Sequence, residues 1–325
     1  MDKLVLSVSP HLRGKTTTTT IMLDVVIALI PTLIASCIIF GLRAAVLTAV
    51  CVASCVLSEY IFNLICKKPN SIADFSAVVT GIILAFNLPV SLPIWQAIVG
   101  SVFAIVVVKM LFGGLGMNFA NPALTGRIFL FLTFGSTMTR YGRTATEALF
   151  KFNLAQTDLI AGATPLDIMK NGSEGAFGLT DLLFGTTGGC IGETCAITLI
   201  AGCVYLLARK VITFHIPVIY VGTVFVLSLI SAPAGYGMLE YALYQMMSGG
   251  LLLGAIFMAT DYVTSPCTKW GKVVFALGCG LLTFAIRKWA SFPEGVSFSI
   301  LCMNILTPHI NKFTATKPFG GVKAK

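Results

Sequence analysis

Long apolar segments recur from one end of the chain to the other, and this recurrence restricts the possible fold more than any other feature. They number about ten and cover residues 21–40, 44–66, 75–88, 92–112, 123–138, 182–208, 212–231, 238–260, 272–287 and 296–311. An α-helix rises 1.5 Å per residue, so several segments can cross a hydrocarbon core of ~30 Å. Only 11% of the residues are charged, whereas soluble domains carry about 25%. The sequence therefore predicts an all-α, polytopic membrane protein with about ten transmembrane helices.

Two of the apolar segments, 75–88 and 123–138, are short, and prolines at positions 89, 93 and 122 interrupt the chain beside them. Short or broken spans are tolerated in a membrane protein only where they are buried in protein or line a site. These segments are therefore predicted to lie in the interior.

Lys and Arg predict the orientation, because cytoplasmic loops of membrane proteins carry an excess of both. With the N-terminus in the cytoplasm, most of the 22 Lys and Arg residues, including Lys109 and Arg127, fall in cytoplasmic loops. Both termini are then inside, and the long polar segment 139–181 lies on the outer face. The net charge of +9 reflects this topology and attraction to anionic lipid. A nucleic-acid partner is not expected, because the chain has no polar basic face.

The two halves of the chain share a weak pattern that predicts an inverted repeat. Residues 81–95 and 254–270 are each an apolar span that ends in a polar, proline-bearing break before a tryptophan, and 116–124 and 292–308 occupy matching places. The offset is five spans, so the halves have opposite topology, and such repeats usually enclose a site near the midplane. Chance similarity between apolar runs is the alternative. The predicted division is a cytoplasmic N-terminal segment (1–20), a five-helix repeat (21–138), an outer loop (139–181), a second five-helix repeat (182–311) and a cytoplasmic tail (312–325).

Asn118 and Asn121 lie three residues apart in MNFANPAL, which places both amides on one side of a turn. An amide offers two donors and an acceptor, so a pair can hold the edge of a heteroaromatic ring. The alternative is helix capping around Pro122. The residues alone do not decide between these roles.

Carboxylates inside apolar spans cost roughly 2.5–3.5 kcal/mol each on insertion scales, and they normally face an interior or a path. Asp24 and Glu240 lie near span ends, and Glu193 lies inside a span. Glu59, within a span, and Asp261, at the break of the second repeat, are the better candidates for an ion path.

Ten cysteines are present, but there is no C-x-x-C spacing, so no metal site is predicted. Most of them lie in apolar runs, as small buried hydrophobic residues do. Cys190 and Cys195 flank IGET and remain candidates to contact a cluster in a partner chain. No P-loop or G-x-G-x-x-G is present, which argues against ATP hydrolysis and a Rossmann NAD site.

Several stretches, in order along nearly the whole chain, resemble one protein family. They are SPH near the start, then TIMLDVVIALIP, NFANPALTGR, DLIAGATPLD, FMATDYVTSP and FPEGVSFSILCMNILTP. The family contains the D subunit of the Rnf electron-transport complex and the B subunit of the sodium-pumping NADH:quinone reductase. The latter is longer at its N-terminus, so chain length favours the Rnf protein.

The resemblance implies a covalent flavin. In this family FMN is joined through its phosphate to a threonine hydroxyl in a motif similar to D-x-x-[S/T]-G-A-T. Here the motif begins at Asp158 and ends with Gly162, Ala163 and Thr164. The Ser/Thr position is Ala161 in this chain, which departs from the preference of the flavin transferase. A phosphoester needs a free hydroxyl on an adaptable turn, and Gly162 supplies the flexibility; an ordinary Ser/Thr turn is the alternative.

The resemblance also implies a non-covalent riboflavin near Asn118 and Asn121, with Thr80 opposite. The implied activity is that of a membrane subunit of a ferredoxin:NAD⁺ oxidoreductase complex that transports Na⁺ or H⁺. Its partners would be Rnf subunits of types A, B, C, E and G, the maturation transferase and the lipid of the bacterial inner membrane. The cofactors supply the redox chemistry, and the chain supplies position and electrostatics. A secondary transporter or channel without a redox role is the rival interpretation.

Overall fold

The structure is a computed structural model, and it describes residues 16–144, 159–161, 164–170, 178–185, 187–193, 195–233, 236–290 and 294–315. The described α-helices are α1 (Thr18–Phe40), α2 (Leu42–Ile65), α3 (Ser76–Phe86), α4 (Ile94–Val102), α5 (Pro122–Thr133), α6 (Gly135–Met138), α7 (Pro165–Lys170), α8 (Leu179–Phe184), α9 (Ala196–Ala208), α10 (His215–Ile230), α11 (Met238–Met247), α12 (Leu251–Leu253), α13 (Lys269–Trp289) and α14 (Val296–Phe313). A 3₁₀ turn covers Ile72–Asp74. Two π-helices, Phe103–Met110 and Gly254–Met258, continue α4 and α12.

Three of the described helices are long and apolar enough to cross a membrane: α1, α2 and α13, with 23, 24 and 21 residues. A fourth candidate is the pair formed by α11 and the helix from Leu251 to Met258, which is bent by 62°. The remaining apolar helices have 10–17 residues. The structure therefore supports a helical membrane protein with three or four clear spans, and the figure of ten spans stays a prediction.

The long helices carry their large apolar side chains on the outside. On α1 the exposed set is Leu23, Ile27, Ile30, Ile34 and Ile38. Steps of three or four residues place this set on one face of the helix. The opposite face buries small or polar residues such as Ala28, Thr32 and Ser36. Small and polar residues between helices with apolar residues outside are typical of a bundle in lipid, where tight packing and interhelical hydrogen bonds hold the helices together.

The apolar segment 182–208 does not form one continuous helix, contrary to its prediction as a span. Helix α8 ends at Phe184, α9 begins at Ala196, and the chain between them turns into the interior. There Ile191 donates its N–H to Leu88 O (3.1 Å), and Gly192 donates to Phe86 O (2.9 Å). A Cβ at Gly192 would lie 2.4 Å from Phe86 Cβ, so this close approach requires glycine. The break is stabilised by backbone pairing with the turn after α3, which satisfies polar groups that lipid could not.

Two helices of the first half pack on helices of the second half, and the inverted repeat itself stays a prediction. Helix α1 packs on α9, and α5 packs on α14, and these are the first and last segments of the two predicted repeats. The opposite orientation of the halves stays a prediction.

The polar segment 139–181 contains regular structure, although the sequence predicts a loop. Strands β1 (Gly142–Thr144) and β2 (Leu159–Ala161) pair antiparallel, and α7 follows. This short ribbon is a local departure from the all-α prediction.

Candidate functional site

Two cavities are lined by the flavin-site candidates that the structure describes, Thr80, Asn118, Asn121 and Thr164. The first, here called the amide cavity, is a partly open cleft with about 790 Å³ of empty space, open solvent included. Its polar lining is Ser76, Thr80, Lys109, Asn118, Asn121, Thr260, Asp261 and Tyr262, and its apolar lining includes residues of α1, α3, α9 and the second π-helix. A mostly apolar cleft of a few hundred Å³ with a small number of polar groups is the usual form of a small-molecule site.

The two amides in this cavity have different roles. Asn121 is the N-cap of α5: its Oδ1 accepts from Ala123 N (3.0 Å) and Leu124 N (3.4 Å), and its Nδ2 donates to Met258 O (3.3 Å). Capping is therefore correct for Asn121. Asn118 donates through Nδ2 to Ala120 O (3.0 Å), and its Oδ1 accepts no hydrogen bond within the described part of the chain. Asn118 is consequently the amide with capacity left for a ligand.

Thr80 reaches the same cavity from α3. Its hydroxyl donates to Ser76 O (2.9 Å) one helical turn earlier, which leaves the oxygen lone pairs as acceptors. The structure thus places Thr80, Asn118 and Asn121 in the lining of one cavity, although they belong to different elements; their role in binding a flavin stays a prediction.

Glu59 is buried on α2 and does not line the cavity itself. Its carboxylate binds Lys109 Nζ at 2.7 Å and accepts a short hydrogen bond from Ser71 Oγ. Lys109 Nζ also donates to Ser76 Oγ (2.8 Å). The side chains of Lys109 and Glu59 are only 4% and 1% exposed. The prediction of Lys109 as a cytoplasmic loop charge is therefore wrong; the structure buries it as the counter-ion of Glu59, because a carboxylate inside the protein needs a partner.

Asp261 lines the amide cavity directly from the turn after the second π-helix. Its Oδ2 accepts from Thr264 Oγ1 (3.1 Å) and its Oδ1 from Val263 N (3.5 Å). Burial raises the pKa of the Asp261 carboxyl, and these hydrogen bonds oppose that shift. The two ion-path candidates therefore approach one cavity, Asp261 by itself and Glu59 through Lys109.

Thr164 lines the second cavity, here called the threonine cavity, a partly open cleft with about 430 Å³ of empty space, open solvent included. Its lining includes Tyr141, Glu193, Ser248 and Glu294. Thr164 precedes α7, and Pro165 takes the first helical position, where its missing N–H costs nothing. Asp158, Gly162 and Ala163 lie outside the described residues.

The Thr164 hydroxyl is bonded to Asp167. Oγ1 donates to Asp167 Oδ2 (2.7 Å) and accepts from Asp167 N (3.3 Å), while Thr164 N donates to the same carboxylate oxygen (3.3 Å). These contacts form a reciprocal cap on α7. The alternative to flavin attachment was an ordinary Ser/Thr turn. In the structure, Thr164 caps the short helix α7.

Arg127, which the sequence did not single out, does not line the threonine cavity but pairs with two carboxylates that do, Glu193 and Glu294. It is buried on α5, its Nη2 lies 3.4 Å from Glu193 Oε1, and it forms a second, shorter ion pair with Glu294. Its Nη1 donates to Asn87 Oδ1 (2.8 Å). The prediction of a cytoplasmic loop position is wrong for Arg127, since the interior provides two carboxylates and an amide to bind it. Its position six residues after Asn121 in an apolar run was the only available signal.

A buried chain of polar contacts links the two cavities. Asn121 binds the backbone of Met258, and Asn87 Nδ2 lies 3.8 Å from Met258 Sδ. Arg127 then donates to Asn87 Oδ1 through Nη1 and pairs through Nη2 with Glu294, which lines the threonine cavity.

Cys190 and Cys195 are both buried. Cys190 Sγ lies 3.8 Å from Arg127 Nη2, and Cys195 Sγ donates to Leu183 O (3.5 Å). Neither sulfur is presented on the surface, so the geometry does not support a cluster shared with a partner chain.

The family model described as "NQR2, RnfD, RnfE family" matches residues 5–320. The chain belongs to this family. It is 45% identical over 99% of its length, and over 97% of the relative, to the D subunit of the Na⁺-translocating ferredoxin:NAD⁺ oxidoreductase complex of Acetobacterium woodii. It is 38% identical over 97% of its length, and 96% of the relative, to the D subunit of the proton-translocating ferredoxin:NAD⁺ oxidoreductase complex of Clostridium ljungdahlii. The D subunit of an ion-translocating oxidoreductase complex of Stutzerimonas stutzeri is 35% identical, with 92% of this chain and 91% of the relative covered.

Proposed function

We propose that this chain is the D-type membrane subunit of an ion-translocating ferredoxin:NAD⁺ oxidoreductase complex and carries electrons through two bound flavins. The relatives named above are D subunits of ion-translocating oxidoreductase complexes, and they match this chain over 92–99% of its length. The observation that carries the proposal is the amide cavity, where Thr80, Asn118 and Asp261 meet between apolar walls.

The amide cavity suits a planar heteroaromatic ring such as that of riboflavin. Its lining is mostly apolar with a few polar groups, as in small-molecule sites. Ile21, Val79 and Phe257 offer apolar contact to ring faces, whereas Asn118 and Thr80 offer polar atoms to a ring edge. When bound, the flavin would supply one-electron chemistry. The chain's contribution is to hold the ring away from bulk water and to bond its edge.

Covalent FMN on Thr164 is the second part of the proposal. Thr164 is only partly buried and borders the threonine cavity, so a group attached to its oxygen has space beside it. The motif residues Asp158, Gly162 and Ala163 would be read by the flavin transferase from the outer side. Both termini would lie in the cytoplasm, and Rnf subunits of types A, B, C, E and G would complete the complex in the bacterial inner membrane.

Ion movement would involve Asp261 and the Glu59–Lys109 pair, because both adjoin the proposed ring site. A carboxylate can bind sodium through hard oxygen ligands or carry a proton. The relatives include one named for Na⁺ and one named for protons, so both ions remain candidates. A transporter without a redox role is disfavoured, since the relatives are named as parts of oxidoreductase complexes.

The experiment measures acid-extractable riboflavin in the purified complex. Each hydrogen bond lost from the ring costs ~0.5–1.5 kcal/mol, so Asn118→Leu should weaken binding roughly 2- to 12-fold. The Asn118→Leu/Asn121→Leu double variant should lose more. The matched control is Asn304→Leu, which removes a buried amide of α14 that does not line the cavity.

Covalent flavin, seen as fluorescence that survives a denaturing gel, should persist in all three variants. Unchanged riboflavin in the double variant would return both amides to a capping role. A colourless wild-type complex from the native host would contradict the redox proposal altogether.

A further inference from the structure

We propose that Asp167 is the proton acceptor that activates Thr164 for attachment of FMN, an inference that rests on the proposed covalent flavin. The carboxylate of Asp167 accepts the Thr164 hydroxyl hydrogen at 2.7 Å between the oxygens. This distance lies within the range required of a general base. The bond points the oxygen's proton at the carboxylate, and one lone pair of Thr164 Oγ1 is left for a phosphorus atom, because the other accepts from Asp167 N.

Buried neighbours on α7 hold Asp167 in position. On α7 the neighbouring Leu166 and Met169 are buried in a small apolar cluster with Leu182 of α8 and Tyr244 of α11. Pro165 presets the helical backbone at the first position of the helix. The short helix is therefore held against two others, and it places Thr164 in the lining of the threonine cavity, with Asp167 hydrogen-bonded to its hydroxyl.

The carboxylates that line the threonine cavity are bound to a different partner. Glu193 and Glu294 both line it, but each is ion-paired with Arg127. Among the described residues, Asp167 provides the carboxylate that is hydrogen-bonded to Thr164 Oγ. Glu193 and Glu294 therefore bind Arg127, whereas Asp167 binds the Thr164 hydroxyl.

The step requires an activated phosphate donor, because joining a free phosphate monoester to an alcohol would have to expel water. A flavin nucleotide whose phosphate is part of a pyrophosphate meets this requirement. Thr164 Oγ attacks the flavin-side phosphorus, the P–O bond to the bridging oxygen breaks, and a phosphate monoester leaves with the bonding electrons. The hydroxyl proton passes to Asp167 and then to solvent, and nothing is oxidised or reduced.

The test is in vitro labelling of the full-length chain, produced in membranes without the transferase, by purified transferase and a flavin dinucleotide. General-base assistance contributes about 10²–10⁴-fold. Asp167→Asn should lower kcat on the order of 10²-fold and leave KM for the chain unchanged. The amide can still accept from Thr164 N, so α7 remains capped. Asp167→Glu should recover part of the rate, since it restores a carboxylate.

Asp181→Asn is the matched control, because Asp181 Oδ2 makes the equivalent cap on a different helix, α8, by accepting from Gly178 N (2.9 Å). It should be labelled at the wild-type rate. Labelling of Asp167→Asn at the wild-type kcat, or an equal loss in Asp181→Asn, would overturn the assignment of Asp167 alone. Wild-type chain that takes no label, or Thr164→Ala that does, would instead refute the covalent flavin site itself.

Discussion

The buried pair of Lys109 and Glu59 gives a quantitative prediction about the amide cavity. Both side chains are almost fully buried, and Nζ and Oε2 lie 2.7 Å apart. Removing one partner of a buried pair leaves an uncompensated charge and typically costs about 3–5 kcal/mol. Lys109→Met should therefore lower the free energy of unfolding by about this amount. Glu59→Gln should cost less, because the amide can still bond Ser71 and Lys109.

The double variant Lys109→Met/Glu59→Gln is the decisive sample. With both charges removed, most of the lost free energy of unfolding should be recovered, since replacing a whole buried ion pair by uncharged residues often changes stability little. Unfolding of the purified chain in detergent, followed in a double-mutant cycle, measures the coupling. Arg209→Met is the control: Arg209 pairs with Asp24 at 3.3 Å, but its side chain is 57% exposed, so little change is expected.

Additive effects in the cycle, or a Lys109→Met variant as stable as the wild type, would refute the reasoning. The stable double variant also separates structure from function. If Glu59 serves ion movement through its charge, the double variant should fold normally yet transfer electrons slowly under ion-coupled conditions.

Asp261→Asn should slow ion-coupled electron transfer in vesicles while the covalent flavin stays attached. If the variant binds its ion weakly, raising the sodium concentration or lowering the pH should restore part of the rate and so identify the ion. Wild-type coupled rates at a limiting ion concentration would mean that Asp261 has only a structural role. Burial raises the pKa of this carboxyl. Its contribution to the free energy of unfolding is therefore complete below the ordinary carboxyl pKa and is lost as the pH rises through the raised pKa. This pH dependence of stability should disappear in Asp261→Asn. Gly192→Ala should destabilise the chain by more than about 1 kcal/mol, because the new methyl meets Phe86 at 2.4 Å; an unchanged melting temperature would contradict this. Thr164→Ser should retain some gel-stable flavin fluorescence and Thr164→Ala none, and a fluorescent band in the alanine variant would exclude this residue as the attachment point.

The sequence by itself determined the class of the protein. Apolar segments without charge leave lipid as the only suitable surroundings, and the backbone must then be helical because lipid offers no hydrogen bonds. The same reasoning predicted that the breaks near Pro89, Pro122 and Asp261 are buried in protein or line a site. The amide cavity adjoins two of these breaks, at Pro122 and Asp261.

Pairing between distant residues was decided by the tertiary structure. Periodicity within one segment gives the face of a residue but not the partner that meets it, so the sequence alone predicts Lys109 and Arg127 as loop charges. The bond from Lys109 to Glu59 joins residues 50 positions apart, and that from Arg127 to Glu294 joins residues 167 apart. Packing alone brings such groups within reach.

Tertiary structure also separated two amides that are equivalent in sequence. Asn121 is consumed by capping α5 and bonding Met258, whereas Asn118 keeps an acceptor for the cavity. Thr164 shows the same division. The local motif predicted a hydroxyl on a turn, but its proton acceptor became visible only when α7 was packed in place. A sequence records which donors and acceptors exist, and the fold decides which of them remain unsatisfied, because each buried polar group is bonded to whichever neighbour packing supplies.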